Sequence, residues 1–136
     1  DPLVYKQLTP LENLTLFARL YRVSDREQRI RALLERFGLW DVRDKAVATF
    51  SRGMQQRLGL GRVLLHDPKL LILDEPFNAL DTAGASLLDE ELATRSHRAV
   101  VVATHDPERV EGLLCVYLLI SNNSKQKTLE PSTLAF

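Results

Sequence analysis

Two adjacent carboxylates, Asp74 and Glu75, directly follow the apolar run at residues 70–73. Such a run is typical of a buried strand, and in open α/β sheets ligands bind at the carboxyl ends of the strands. Two neighbouring acids there could share the hydrolysis of a phosphate ester, one orienting hydrated Mg²⁺ and the other polarising the attacking water. On their own, these residues are equally compatible with an ordinary acidic turn.

A second candidate lies upstream, where residues 50–57 read Phe-Ser-Arg-Gly-Met-Gln-Gln-Arg at the start of a predicted helix. A helix N-terminus concentrates partial positive charge, and a glycine in the first turn lets a phosphate approach the backbone closely. Ser51 and Gly53 therefore indicate a potential anion site. Taken alone, the simpler interpretation of a good helix cap would be preferred.

The first half of the chain that positions these residues is predicted to be helical. Thr9 followed by Glu12 forms a capping box that begins one helix. Ser24 and Glu27 repeat the pattern, and apolar residues then recur at helical spacing until Gly38 supplies a stop.

The second half alternates short apolar runs with helical patterns. Runs without polar alternation suit strands buried on both faces, and strands that alternate with helices predict a parallel sheet. The predicted strands are 70–73, 99–103 and 116–120, and the predicted helices are 53–66, 82–95 and 107–114. The fold class is therefore α/β with a helical part in front.

The composition excludes several classes of protein. The 136 residues carry no formal net charge, so a nucleic-acid partner is not expected. The longest apolar run, 113–120, is far shorter than the roughly 20 residues of a membrane-spanning helix. Cys115 is the only cysteine, which excludes an internal disulfide and fits a reducing compartment.

The order of the motifs resembles the ATP-binding subunits of ABC transporters over residues 2–114. Residues 50–57 are similar to the family's signature sequence, and 70–75 to Walker B with its catalytic glutamate. Residues 79–81, Ala-Leu-Asp, resemble the D-loop, and 104–106, Thr-His-Asp, resemble the switch histidine. Four motifs in the family's order are far more specific than any one of them. The resemblance implies a partial P-loop NTPase-type parallel sheet with a helical signature subdomain.

The resemblance also implies catalytic roles and two cofactors, ATP and Mg²⁺. Asp74 would hold Mg²⁺ through water. Glu75 would be the general base that activates the attacking water, a role that contributes roughly 10² to 10⁴ in rate. His105 would contact the terminal phosphate and the attacking water.

The remaining site residues would act across a dimer. Ser51, Gly53 and Gln55 would contact the ATP that a second ATP-binding subunit holds. Asp81 would line the same interface, although it also has a sufficient local role as the cap of a helix from Thr82 onward.

Three departures limit the resemblance. No Gly-x-x-x-x-Gly-Lys-Ser/Thr loop occurs, so we expect this chain alone not to bind ATP normally and to be inactive, with Asp1 near a truncation point. Arg52 replaces the glycine common in the signature, and Met54 replaces its glutamine. Close approach of phosphate to the backbone is therefore less assured.

The sequences at 50–57, 65–68 and 74–77 are most similar to those of haem exporter ATPases of cytochrome c maturation. In this family, however, the membrane subunits determine the substrate. We expect a complete subunit to be cytoplasmic, peripheral on the inner face of the cell membrane, and to drive export through transmembrane permease subunits. The alternatives are a non-catalytic truncated interaction module, an ATPase of another ABC exporter class, and a soluble ABC ATPase of DNA repair or translation. The predicted division is a helical subdomain at 1–66, an α/β part at 67–120 and a tail at 121–136.

Overall fold

The computed structural model describes residues 4–78, 80–94 and 99–104. Its elements, in chain order, are helix α1 (Pro10–Leu20), helix α2 (Arg26–Arg36), two single 3-10 turns (Trp40–Val42 and Val47–Thr49), helix α3 (Arg52–Leu64), strand β1 (Leu70–Asp74), helix α4 (Thr82–Thr94) and strand β2 (Ala99–Ala103). The predicted α/β class is confirmed, and α3, α4, β1 and β2 begin and end within two residues of their predicted bounds. The strand expected at 116–120 and the helix expected at 107–114 lie outside the described residues.

The described residues divide into two compact units. The helical unit consists of the residues up to 68 together with 80–87, and the strand unit consists of 69–78 together with the described residues from 88 onward. The predicted division at residues 66 and 120 stays a prediction. In the part of the chain that the structure describes, no helix is both long and apolar enough to cross a bilayer.

Helix α1 begins with the predicted capping box. The hydroxyl of Thr9 accepts a hydrogen bond from the Glu12 backbone N–H at 3.2 Å, and the Glu12 carboxylate accepts one from the Thr9 N–H at 2.9 Å. Two backbone donors that the helix itself cannot satisfy thus find partners. Pro10 occupies the first helical position, where its missing N–H removes no helical bond.

Helix α2 begins differently from the prediction. Its N-cap is Asp25, which adopts a left-handed backbone conformation (φ 49°) and makes no side-chain capping bond. The capping box expected from Ser24 and Glu27 was therefore wrong. The reason is that the helix starts one residue later, which places Gln28 rather than Glu27 at the third helical position.

The C-terminal end of α2 follows the prediction. Gly38 has a φ of +65°, a conformation that glycine adopts without the steric penalty of a side chain. Its N–H donates to Glu35 at 3.1 Å, and the Leu39 N–H donates to Leu34 at 2.8 Å. This pair of bonds is the usual left-handed cap of a helix, so the predicted stop at Gly38 is confirmed.

Helices α1, α2 and α3 of the helical unit share one apolar core. Helix α1 contacts α2 and α3, and α2 contacts α3. The fully buried side chains include Leu14, Leu34, Phe37, Leu39, Val47, Leu58 and Leu65. Burial of a large apolar side chain stabilises a fold by about 1.5–3 kcal/mol, so this core is a major source of stability for the helical unit.

In the described part of the strand unit, β1 and β2 form a parallel sheet of two strands. The register pairs Leu70 with Ala99 and continues to Asp74 opposite Ala103. The inward side chains Leu71, Leu73, Val100 and Val102 are buried. Leu70 and Ile72, however, are 52% and 69% exposed. The prediction that this strand is buried on both faces was wrong, because the described residues cover only one face of β1.

Candidate functional site

The signature-like sequence lies at the N-terminal end of α3, as predicted. Ser51 is the N-cap residue in an extended conformation, and its hydroxyl accepts a hydrogen bond from the Met54 N–H at 3.2 Å. The side-chain amide of Gln55 donates to the carbonyl of Phe50 at 3.0 Å. Ser51 is exposed. The segment is therefore held by the side chains of Ser51 and Gln55, and the serine remains accessible to solvent.

Gly53 and Asp81 lie side by side. A Cβ atom at Gly53 would be 3.4 Å from the Oδ2 atom of Asp81. The other carboxylate oxygen, Oδ1, accepts a hydrogen bond from the Gly84 N–H at 2.8 Å. The predicted capping role of Asp81 is thus confirmed, and two residues that the sequence assigned to one interface are neighbours in the helical unit.

Arg57, for which no role was predicted, contacts the same carboxylate. Its Nη2 atom lies 3.4 Å from Asp81 Oδ2, and its Nη1 atom donates to the carbonyl of Phe37 at 3.0 Å. A usable signal was the spacing, because residues four apart share one face of a helix and Arg57 follows Gly53 by four. The face of α3 that carries Gly53 is therefore also the face that carries the arginine.

The two carboxylates of the strand unit follow one another at the end of β1. Asp74 is the last residue of the strand and is exposed. The backbone N–H of Glu75 donates to the carbonyl of Ala103 at 2.8 Å, which extends the pairing with β2 by one residue. The hydroxyl of Thr104 lies 3.5 Å from Glu75 Oε2, long for a hydrogen bond. The structure thus places Glu75 beside the carboxyl end of β2.

Glu75 has an unusual backbone conformation. Its φ is +44°, in the left-handed region that residues other than glycine adopt infrequently. Its carbonyl accepts a hydrogen bond from the Asn78 N–H at 3.2 Å, so a tight turn begins at this residue. Non-glycine residues with such angles concentrate at functional sites, where the surrounding structure holds them.

The third predicted catalytic residue, His105, lies outside the described residues. Its neighbour Thr104 is buried directly after β2. Among residues 4–78, 80–94 and 99–104, no three His, Cys, Asp or Glu side chains are grouped closely enough to hold a metal ion by themselves. Mg²⁺ is commonly held by one or two carboxylates together with waters and substrate phosphates, so a single exposed Asp74 fits that mode of binding.

Known proteins resemble most of this chain. YhcH of Bacillus subtilis, described as an uncharacterized ABC transporter ATP-binding protein, is 41% identical over 128 residues, which are 92% of this chain and 41% of that protein. The bacitracin transport ATP-binding protein BcrA of Bacillus licheniformis is 39% identical over 116 residues, which are 83% of this chain and 38% of that protein. The chain therefore spans about two fifths of the length of these relatives.

A solved structure confirms the fold. It is described as the dimeric post-hydrolysis state of an ATP-binding cassette bound to ADP and phosphate. The similarity has a TM-score of 0.71 at 27% identity and covers 95% of this chain and 60% of that one. The predicted P-loop NTPase-type architecture is thus confirmed.

The family assignment follows from a match to a family model and from the relatives. Neither relative is described as a haem exporter, so the predicted similarity to that class is not supported. Residues 1–78, more than half of the chain, match the family described as ABC transporter. This chain belongs to the ABC transporter family, among its ATP-binding subunits.

Proposed function

We propose that this chain is part of a subunit that hydrolyses ATP to drive transport across a membrane. The observation that carries the proposal is the pair Asp74 and Glu75 at the carboxyl end of β1, with the Glu75 backbone bonded to Ala103 of β2 at 2.8 Å. That edge of a parallel sheet is where α/β proteins bind their ligands. The order of family motifs around it supports nucleotide as the ligand.

Glu75 would act as the general base. Its side chain is half-buried, and its backbone is fixed by the bond to Ala103, so the carboxylate has a restricted range of positions. Restricting a catalytic group in this way lowers the entropy lost in reaching the transition state. His105, which follows Thr104 directly, would contact the terminal phosphate and the attacking water.

Asp74 would hold Mg²⁺ through water. Its carboxylate is exposed, which leaves room for the hydration shell that this ion gives up reluctantly. When bound, Mg²⁺ neutralises charge on the phosphate oxygens during phosphoryl transfer. The contribution of Asp74 is therefore to orient the ion's water ligands rather than to move a proton.

Ser51, Gly53 and Gln55 would contribute to the ATP site of a second subunit. The Ser51 oxygen accepts from the Met54 N–H, and a hydroxyl that accepts one bond can still donate its own hydrogen to a phosphate oxygen. Gln55 would act through the Phe50 carbonyl that it binds, since this contact fixes the residue before Ser51. Asp81 would line the same interface beside Gly53.

The partners would be a second ATP-binding subunit and transmembrane permease subunits, with the ATPase on the cytoplasmic face of the membrane. The similarity to a bacitracin transport protein favours export of a peptide antibiotic. Haem export, which the sequences at 50–57, 65–68 and 74–77 suggested, is not supported by YhcH or BcrA. Deletion of the gene would distinguish the two substrates. Lower resistance of the cells to bacitracin would indicate export of the antibiotic, whereas a lower cytochrome c content would indicate export of haem.

The direct test uses the full-length gene product. We expect it to release phosphate from ATP in the presence of Mg²⁺ and to stop when the ion is chelated. The D74N variant should need a higher Mg²⁺ concentration for half-maximal activity, because the neutral amide binds the hydrated ion less strongly. A full-length product that binds its membrane partners but releases no phosphate would overturn the proposal and favour a non-catalytic interaction module.

A further inference from the structure

We propose that Arg57 is a positioning residue for Asp81, the last residue of the D-loop. Its guanidinium holds the Asp81 carboxylate beside Gly53, at the end of α3 that carries the signature-like sequence. An effect on activity presupposes the proposed ATPase function, because Asp81 matters for hydrolysis only within that function. The contact itself belongs to the helical unit and can be measured separately.

The guanidinium joins three elements. Nη1 donates to the carbonyl of Phe37 at the end of α2, at 3.0 Å, and Nη2 lies 3.4 Å from Asp81 Oδ2 directly before α4. The Arg57 side chain is only 15% exposed, whereas that of Asp81 is 49% exposed. The buried partner therefore fixes the exposed one. Two acceptors on separate elements require two nitrogen donors in a rigid fork, which arginine provides and lysine lacks.

Glycines leave the space that this arrangement needs. A Cβ atom at Gly38 would lie 3.2 Å from Arg57 Nη1, and one at Gly84 would lie 3.0 Å from Asp81 Oδ1 and 3.2 Å from Arg57 Cγ. At Gly53 the corresponding distance to Asp81 Oδ2 is 3.4 Å. Only Gly38 has a backbone conformation that itself favours glycine. At Gly84 a Cβ atom would also lie 2.9 Å from Leu80 Cδ2, so this position is crowded by Leu80 as well as by the ion pair, whereas at Gly53 a Cβ atom would make an ordinary contact.

The arrangement leaves one nitrogen atom of Arg57 without a hydrogen bond among the described residues. Its Nε atom is buried and has no hydrogen-bond partner among the described residues. Buried polar groups in folded proteins are nearly always paired, so an exception calls for a specific reason. The contacts with Phe37 and Asp81 supply it, because they fix both terminal nitrogens and leave Nε facing the interior.

Asp81 depends on Arg57 for one of its two contacts. Oδ1 caps the first turn of α4 through Gly84, and Oδ2 faces Arg57. Loss of the guanidinium leaves the cap as the remaining contact, and a carboxylate with one contact can rotate away from Gly53. Residues that act through a shared geometry give strongly non-additive effects when they are changed together.

The activity test is a double-mutant cycle in the full-length gene product with R57M, D81N and the double variant. We expect each single variant to lower kcat for ATP hydrolysis roughly ten- to a hundredfold, because small displacements near a reaction centre have effects of that size. KM for ATP should change by less than about twofold in R57M, because a positioning residue acts through Asp81 rather than through a contact of its own with the nucleotide. The double variant should be no slower than D81N alone, and R57K should recover little of the rate. The matched control R31M removes an exposed ion pair on α2 and should leave kcat unchanged.

Hydrogen exchange at residues 80–84 tests the contact without relying on activity. R57M and R57K should raise the exchange rate of the Gly84 amide severalfold, whereas R31M should not. If R57M does not fold, kcat and hydrogen exchange are measured on R57K and D81N instead. A wild-type protein that releases no phosphate would overturn the ATPase proposal, and exchange would then decide the role of Arg57. Unchanged exchange in R57K, or kcat losses that multiply in the double variant, would overturn the positioning role.

Discussion

The helical unit and the strand unit hold their candidate residues in different ways. In the helical unit, the side chains of Ser51, Gln55 and Asp81 each bond to a backbone group of that unit. In the strand unit, Asp74 is exposed, and Glu75 is fixed to β2 through its backbone N–H. Loss of one of these three side-chain bonds in the helical unit should therefore affect both stability and function, whereas removal of the Asp74 or Glu75 carboxylate in the strand unit should affect function with little change in stability.

The largest expected effect is that of Glu75→Gln. Loss of the general base should lower phosphate release by the full-length gene product about 10²- to 10⁴-fold. The free energy of unfolding should change by less than about 0.5 kcal/mol, because the amide has the same shape and the bond to Ala103 comes from the backbone. The two quantities are measured by a phosphate assay and by urea denaturation. A loss of stability above about 1 kcal/mol would show that the carboxylate is structural and would remove the contrast between the units.

Gly53→Ala should separate function from stability within the helical unit. The new methyl group would lie in ordinary contact with Asp81 Oδ2, at 3.4 Å, and alanine favours helices over glycine by about 1 kcal/mol. We expect unchanged or slightly higher stability together with a fall in phosphate release of about tenfold or more, since phosphate can no longer approach the backbone. Gly61→Ala is the control, since it adds a methyl group to the same helix 3.6 Å from the Phe37 ring. Full activity of Gly53→Ala would exclude this glycine from the nucleotide site.

Ser51→Ala and Thr9→Ala compare two helix caps, of which only one belongs to the site. Each variant loses a side-chain bond to a backbone N–H, so each should lose about 1 kcal/mol of stability. Only Ser51→Ala should also reduce phosphate release, because Thr9 caps α1. Both quantities can be read from chemical denaturation and a phosphate assay on the same preparations. Equal activity of the two variants would mean that Ser51 serves the helix alone.

The smallest expected effect is that of Glu35→Gln on the surface of α2. This residue pairs with Arg31 at 2.9 Å, and both side chains are largely exposed. Exposed pairs of this spacing contribute about 0.3–0.5 kcal/mol, and the contribution falls as salt is added. Denaturation at low and high salt measures the difference. A larger effect would show that the surface of the helical unit is more tightly coupled to its core than the contacts indicate.

The sequence predicted the features that depend on neighbouring residues. The capping box at Thr9, the glycine stop at Gly38 and the acidic end of β1 all follow from local chemistry. The start of α2 was predicted wrongly because the left-handed conformation of Asp25 was not visible in the pattern. The family resemblance, rather than periodicity, supplied the roles of the site residues.

Features that depend on distant contacts were missed. Whether Ile72 is exposed depends on which parts of the protein cover the sheet, and an apolar side chain does not reveal this. Arg57 contacts Phe37 and Asp81, which lie far from it in sequence, so its spacing relative to Gly53 was the single local signal. Placing such contacts requires the fold.

The left-handed backbone of Glu75 has a consequence for natural variation. Asparagine adopts such angles more readily than glutamate, and branched residues such as valine adopt them with difficulty. An asparagine at this position should therefore raise the melting temperature while it removes the base. A glutamate at this position therefore keeps the catalytic base at a cost in stability. Homologues with asparagine there should keep the turn but lack the base.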